Sequence, residues 1–169
     1  INYPSAAQYF ADQSNGTYRP QFDVYGPITL PKKYAYYGNN DAAGNDKYAA
    51  DAVVEACKLA NEQFPQLNFA DYDTDKDGYV DFVYVIYAGK GQADGGDANT
   101  IWPHNWDIYS ASYYGNCTYP KSEWKVDGKT LNTYAMSAEL EGSGSRGGIG
   151  THCHEFGHVM GLADLYDTE

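Results

Sequence analysis

The chain predicts a mixed α/β (α+β) domain, and three stretches carry that expectation. Asp81 to Ala88 is β-branched and aromatic throughout, the pattern of a strand buried on both faces. Ala50, Val53, Val54, Cys57, Ala60 and Phe64 recur at helical spacing between Lys47 and Phe64, and Pro65 closes that helix. Ser122 to Leu140 reads as a hairpin turning at Asp127-Gly128, a pair that tolerates the positive φ a tight turn needs.

The remaining elements follow in order. Tyr3 to Gln13 predicts a short helix, with Pro4 in its first turn and Ala6, Ala7, Phe10 and Ala11 on one face. Ser14-Asn15-Gly16 stops it. Phe22 to Tyr37 is extended chain interrupted by Pro27 and Pro31, which suits an edge strand. Gly38 to Asp46 is a polar loop. Residues 89–122 form a long Gly- and Tyr-rich stretch around Trp102-Pro103-His104-Asn105-Trp106. A connection that long inside a compact domain is more often functional than idle, although His104 itself reads as structural. Gly142 to Gly150 is a Gly-rich link to a final helix. Neither a repeat nor an internal domain boundary stands out.

At 169 residues the chain suits one compact domain. Eleven basic against 23 acidic residues give a net charge of −12. That excludes nucleic acid and anionic membrane as expected partners, since both need a basic patch. The longest apolar run, Phe82 to Ala88, is too short to span a bilayer. Among the three cysteines, Cys57, Cys117 and Cys153, one disulfide is possible, and the spacing leaves its pairing open.

Two constellations carry chemistry. The first is His154-Glu155-Phe156-Gly157-His158, followed by Gly161 and Asp164. On a helix, His154 and His158 lie one turn apart on one face and can reach the same ion. Catalytic zinc takes three protein ligands and keeps a position for water. Gly161 stands where the helix ends with positive φ, and the reversal can return Asp164 as a third ligand. Glu155, beside the first ligand, can take a proton from that water. Cys153 sits about 100° around the helix from His154, off the ligand face. An ordinary amphipathic helix with two surface histidines is the competing reading; the glycine and the acid at their offsets weigh against it.

The second constellation is Asp73-Thr74-Asp75-Lys76-Asp77-Gly78-Tyr79-Val80-Asp81. Its alternate carboxylates and turn glycine match the first nine positions of a calcium loop, with Asp73, Asp75, Asp77, Asp81 and the Tyr79 carbonyl as ligands. The twelfth position is Tyr84 rather than a bidentate Glu, so a full EF-hand is not expected. A solvated Asp-rich turn is the alternative.

With both constellations in place, the chain resembles the immune-inhibitor-A family of secreted bacterial zinc metalloendopeptidases. The resemblance rests on Tyr9-Phe10-Ala11-Asp12-Gln13-Ser14, Tyr36-Tyr37-Gly38, Tyr72 through Asp81, and Val85-Ile86-Tyr87-Ala88-Gly89-Lys90-Gly91. It continues in Ile101-Trp102-Pro103-His104, Gly148-Ile149-Gly150-Thr151, the zinc helix and Asp164-Leu165-Tyr166-Asp167. It implies a metzincin-like domain: a mixed twisted sheet with a backing helix and an active-site helix. It also implies zinc (Zn2+) at His154, His158 and Asp164, Glu155 as general base, bound calcium (Ca2+), a protein or peptide substrate and export from a bacterial cell. Ala163 replaces the usual Pro. The family continues past the position of Glu169 with a methionine turn and a primed-side pocket, so residues 1–169 are expected to be the upstream subdomain of the catalytic domain. A non-catalytic, calcium-stabilised binding module and a purely structural zinc site are the rivals; Glu155 favours the enzyme.

Overall fold

The computed structural model describes residues 4–164. Tyr3, the expected start of the first helix, and Leu165-Tyr166-Asp167 lie outside them. Helix α1 spans Ala6–Gln13; the Ser5 hydroxyl caps it by accepting a bond from Gln8 N at 3.1 Å. The segment expected to be an edge strand over Phe22 to Tyr37 is irregular and ends in the short helix α2, Tyr34–Gly38. Pro27 and Pro31 cannot donate to a strand ladder.

Helix α3, Ala49–Gln63, is the backing helix that the periodicity predicts. Its Ala50, Val53, Val54 and Cys57 are buried in the main core. It also buries Asp51 and Glu55, which must be satisfied to be tolerated. Asp51 accepts from Tyr36 Oη (2.9 Å), Thr118 N (2.8 Å) and Thr118 Oγ1 (2.6 Å). Glu55 accepts from Tyr37, Lys32 and Tyr119. These two carboxylates clamp α3 to the chain around residues 32–37 and 117–119.

The main sheet has three strands: β1 (Val83–Lys90), β2 (His104–Asp107) and β5 (Thr133–Leu140), in the order β1-β5-β2. β1 runs parallel to β5 and β2 antiparallel to it, so the sheet is mixed. Two sequence expectations change here. β1 is an edge strand with Ile86 53% exposed, whereas β5 is the central and most buried strand. The hairpin over Ser122 to Leu140 is real but short. Its arms are β3 (Lys125–Val126) and β4 (Lys129–Thr130), turning through Asp127 (φ 49) and Gly128 (φ 79), and the chain beyond leaves it to become β5. The stretch 89–122 also contains regular structure: β2 and the helix α4, Ile108–Tyr113, capped by Asp107.

The two faces of the sheet are covered differently. Val83, Val85, Tyr134 and Met136 pack with α3 in the core. The opposite face, with Tyr84 and Ser137, receives the final helix α5, Ile149–Val159. A tight turn delivers α5: Glu141 N donates to Ser145 O (2.9 Å), Gly147 N to Glu139 O (2.8 Å), and Gly144 takes φ 83. Small side chains at Ala135 and Ser137 leave room for that close packing. Among the described residues no helix is long and apolar enough to cross a membrane.

Candidate metal centre

Helix α5 presents His154 and His158 at i and i+4, with their Nε2 atoms 3.1 Å apart. The helix ends in a left-handed turn built on Gly161 (φ 87). Gly161 N donates to His158 O (2.9 Å) and Leu162 N to Gly157 O (3.0 Å), the paired bonds of a Schellman motif. A side chain with a Cβ would be strained at that φ. The turn has two consequences. It brings the Leu162 carbonyl to His158 Nδ1 at 2.8 Å, and a carbonyl can only accept, so Nδ1 carries the proton. With its proton on Nδ1, the ring can turn the Nε2 lone pair toward the point where His154 and Asp164 converge. It also returns Asp164, whose Oδ1 lies 3.3 Å from each Nε2.

This triangle fits zinc. Ligands at about 2.0–2.1 Å in tetrahedral array stand about 3.3 Å from one another. Two imidazole nitrogens and a carboxylate oxygen are a donor set that zinc takes in catalytic sites. Their acceptor atoms converge within 4.8 Å with one side open, His154 and Asp164 both being exposed.

Glu155 is buried at 5% exposure, next to the ligand face but turned inward. Burial pushes its carboxyl above the ordinary range, the Asp164 charge adds to that, and the two imidazoles oppose it. Behind the helix, Phe156 meets Phe10 of α1 (5.2 Å between ring centroids), Phe22 (5.1 Å) and Phe82 (5.3 Å). This aromatic cluster braces α5 from the side opposite the ligands. No pattern in the sequence joins those four positions. His152, which a closed structural zinc site would need as a fourth ligand, instead bonds to the sheet: its Nδ1 is 3.0 Å from both Ser137 Oγ and Tyr84 Oη.

His104 and the cysteines stand outside the centre. His104 donates from Nδ1 to Trp102 O (2.7 Å), and its Nε2 is 3.3 Å from Tyr134 Oη, a structural role as the sequence suggests. Cys57, Cys117 and Cys153 are all free thiols, so the possible disulfide is not formed. Burial raises Cys57 to about 12 and Cys117 to about 11, which keeps both protonated.

In the acidic loop, oxygens of Asp73, Asp75 and Asp81 also lie within 4.8 Å of one another. Asp77 stands outside this trio and accepts from Tyr79 N (2.8 Å). Many of the oxygens already have donors. Asp75 accepts from Asp77 N (3.2 Å), and Asp81 from Thr74 Oγ1 (2.7 Å). Asp73 Oδ2 accepts from Gly78 N (3.2 Å) and pairs with Lys129 Nζ (2.6 Å), which holds the carboxyl below its usual range. Asp73 Oδ1 is buried and has no partner.

A family model described as Immune inhibitor A peptidase M6, catalytic domain, matches residues 2–169. The chain is 32% identical over 180 aligned residues to Immune inhibitor A of Bacillus thuringiensis subsp. alesti, covering 96% of this chain and 25% of that protein. It is 30% identical over 187 aligned residues to the pre-pro-metalloprotease PrtV of Vibrio cholerae serotype O1, covering 99% of this chain and 19% of that one. The chain therefore spans a quarter or less of the length of these relatives.

Proposed function

Because the chain belongs to the Immune inhibitor A peptidase M6 family, we propose that it is the zinc-binding part of an exported metalloendopeptidase. Its metalloprotease relative PrtV supports a metal-dependent protease, and the pre-pro form named for that relative supports export. The observation that carries the reading is the convergence of His154 Nε2, His158 Nε2 and Asp164 Oδ1 in a triangle 3.1–3.3 Å on a side.

These three residues would hold the metal, which would supply Lewis-acid chemistry by polarising the scissile carbonyl and acidifying a water. Glu155 accepts a proton from that water and returns it to the leaving amine. Its inward placement supports the role, because burial lifts its proton affinity toward the working range of a general base. β2 pairs with β5 along one edge and ends the sheet on that side, beside α5. Its other edge offers an extended peptide backbone pairing that tolerates many side-chain sequences. The fold is read as metzincin-like, and residues 1–169 as the upstream subdomain, with the primed-side wall built by later sequence.

A calcium ion is proposed in the acidic loop, held by Asp73, Asp75, Asp77, Asp81 and the carbonyl of Tyr79. The orphaned Asp73 Oδ1 supports it.

The test is Glu155→Gln in the whole protein. The amide keeps the shape but cannot take a proton. Hydrolysis of an unfolded protein substrate should fall by about a hundredfold to ten-thousandfold, with zinc content unchanged. Undiminished turnover would remove Glu155 from the mechanism.

A further inference from the structure

The direction in which the zinc corner and Glu155 face the sheet edge depends on what fixes the roll of α5 about its axis. At about 100° per residue, His152 and Phe156 share one stripe of α5, and His154 with His158 share another about 200° away. The first stripe is the anchored one. Phe156 is set in the cluster of Phe10, Phe22 and Phe82. One turn earlier, His152 meets the sheet through a polar joint: Nδ1 is 3.0 Å from Ser137 Oγ on β5 and 3.0 Å from Tyr84 Oη on β1. The Tyr84 and His152 rings meet edge to face at 5.1 Å and 90°. Ser137 is 1% exposed, so it is no nucleophile for the imidazole to activate.

The two anchors differ in kind. Aromatic packing around Phe156 holds the helix down but tolerates a small rotation, because ring contacts change gradually with angle. A ring nitrogen shared between hydroxyls on two different strands does not, because hydrogen-bond strength falls steeply with distance and angle. An imidazole nitrogen stands about 6 Å from the helix axis. A roll of about 10° would move it about 1 Å; His154, His158, Glu155 and the turn bearing Asp164 all travel with α5, so the ligand triangle keeps its shape and what changes is its alignment with a substrate held along the sheet edge.

We infer that His152, held by Tyr84 and Ser137, is a positioning residue that sets the roll of α5 and so aligns the zinc corner and Glu155 as a unit with the sheet edge beside them. It touches neither metal nor substrate. The inference rests on the zinc reading above and adds a residue outside the H-E-x-x-H motif.

The test compares His152→Leu, His152→Asn and Tyr84→Phe in the whole protein. Zinc affinity is measured by chelator competition well below the melting temperature, and kcat and KM are measured separately. Asn can place a polar atom near the position of Nδ1, whereas Leu keeps bulk without it. H152L should bind zinc with nearly unchanged affinity, because the ligands move together with α5, and should lose about tenfold to a hundredfold in kcat with KM nearly unchanged. Y84F should lose part of that kcat, and H152N should recover most of the loss. If H152L fails to fold, Y84F carries the same comparison with a milder change. Unaltered protein that binds no zinc would sink the zinc reading itself. Zinc bound by the unaltered protein, with H152L or Y84F keeping full kcat or losing kcat only in step with zinc affinity, would overturn the positioning role alone. So would H152N behaving like H152L.

Discussion

The zinc corner and the acidic loop look alike as sequence: oxygen or nitrogen ligands at fixed spacing with a glycine for the turn. As structure they are opposites. At the end of α5, three ligand atoms converge, and the outer nitrogen of one of them, His158 Nδ1, is already committed to Leu162 O. In the loop the carboxylates are served by backbone N–H groups, by Thr74 and by the Lys129 ammonium, and one buried oxygen of Asp73 is left over. Spacing makes a site possible; the donors already present decide how much an ion adds. On the proposed reading, the first region uses its metal for chemistry and little for shape. The second joins the β3–β4 hairpin to β1 through Val80 N to Thr130 O and Thr130 N to Gly78 O, both 2.9 Å, so an ion there acts on stability.

The largest effect should come from removing a zinc ligand. Asp164→Ala should lower zinc affinity by more than about a hundredfold, beyond the range for supporting groups. The exposed carboxylate should leave metal-free stability within about 0.5 kcal/mol. Chelator competition and thermal melts read the two separately. A large loss of metal-free stability would mean that Asp164 is a structural group after all.

The loop should respond in the reverse sense. Calcium at about a hundred times its dissociation constant should stabilise the fold by about 2.7 kcal/mol, and zinc should not substitute for it. Lys129→Met removes the resident cation. It should cost about 2 kcal/mol without calcium and increase the stabilisation that calcium gives. Melts indifferent to millimolar calcium, in both forms, would reduce the loop to a turn.

Asp46 is the control for both regions. Its Oδ1 is also buried without a hydrogen-bond partner, yet among the described residues no convergent carboxylates surround it. It should therefore titrate rather than bind an ion. Burial raises its carboxyl to about 7, with the Asp41 charge adding and the bond from Trp102 N opposing. A group whose folded pKa is raised this way binds more protons folded than unfolded. Its contribution is favourable at low pH and is lost as pH rises from about 4 through about 7. Asp46→Asn should flatten that part of the stability profile by about 2 kcal/mol, taking roughly half of the full shift to survive local relaxation. An unchanged profile in urea titrations across that range would contradict it.

The legible parts of this molecule are those in which chemistry is local. His154 to Asp164 could be read because helix geometry and one glycine bring the ligands together within a few turns of chain. α3 could be read because its apolar spacing is regular. The central strand β5 could not: Thr-Tyr-Ala-Met-Ser-Ala-Glu-Leu is modest in hydrophobicity, and it is central because its small side chains admit α5 on one face. β1 has the stronger apolar run yet lies at the edge, half exposed at Ile86. Contacts between distant segments, such as Phe156 with Phe10, Phe22 and Phe82 or His152 with Tyr84 and Ser137, leave no local pattern. The one available signal was helical phase, which puts His152 on the same stripe as Phe156 and away from the ligands.

The most direct measurement is X-ray absorption at the zinc edge of the whole protein purified with its metal. One zinc per chain should show two imidazole nitrogens and one carboxylate oxygen in its first shell, with a light atom from solvent completing it. Asp164→Ala should delete the protein oxygen and leave the imidazoles. A sulfur shell from Cys153, or zinc that ignores the loss of His154 and His158, would contradict the centre described.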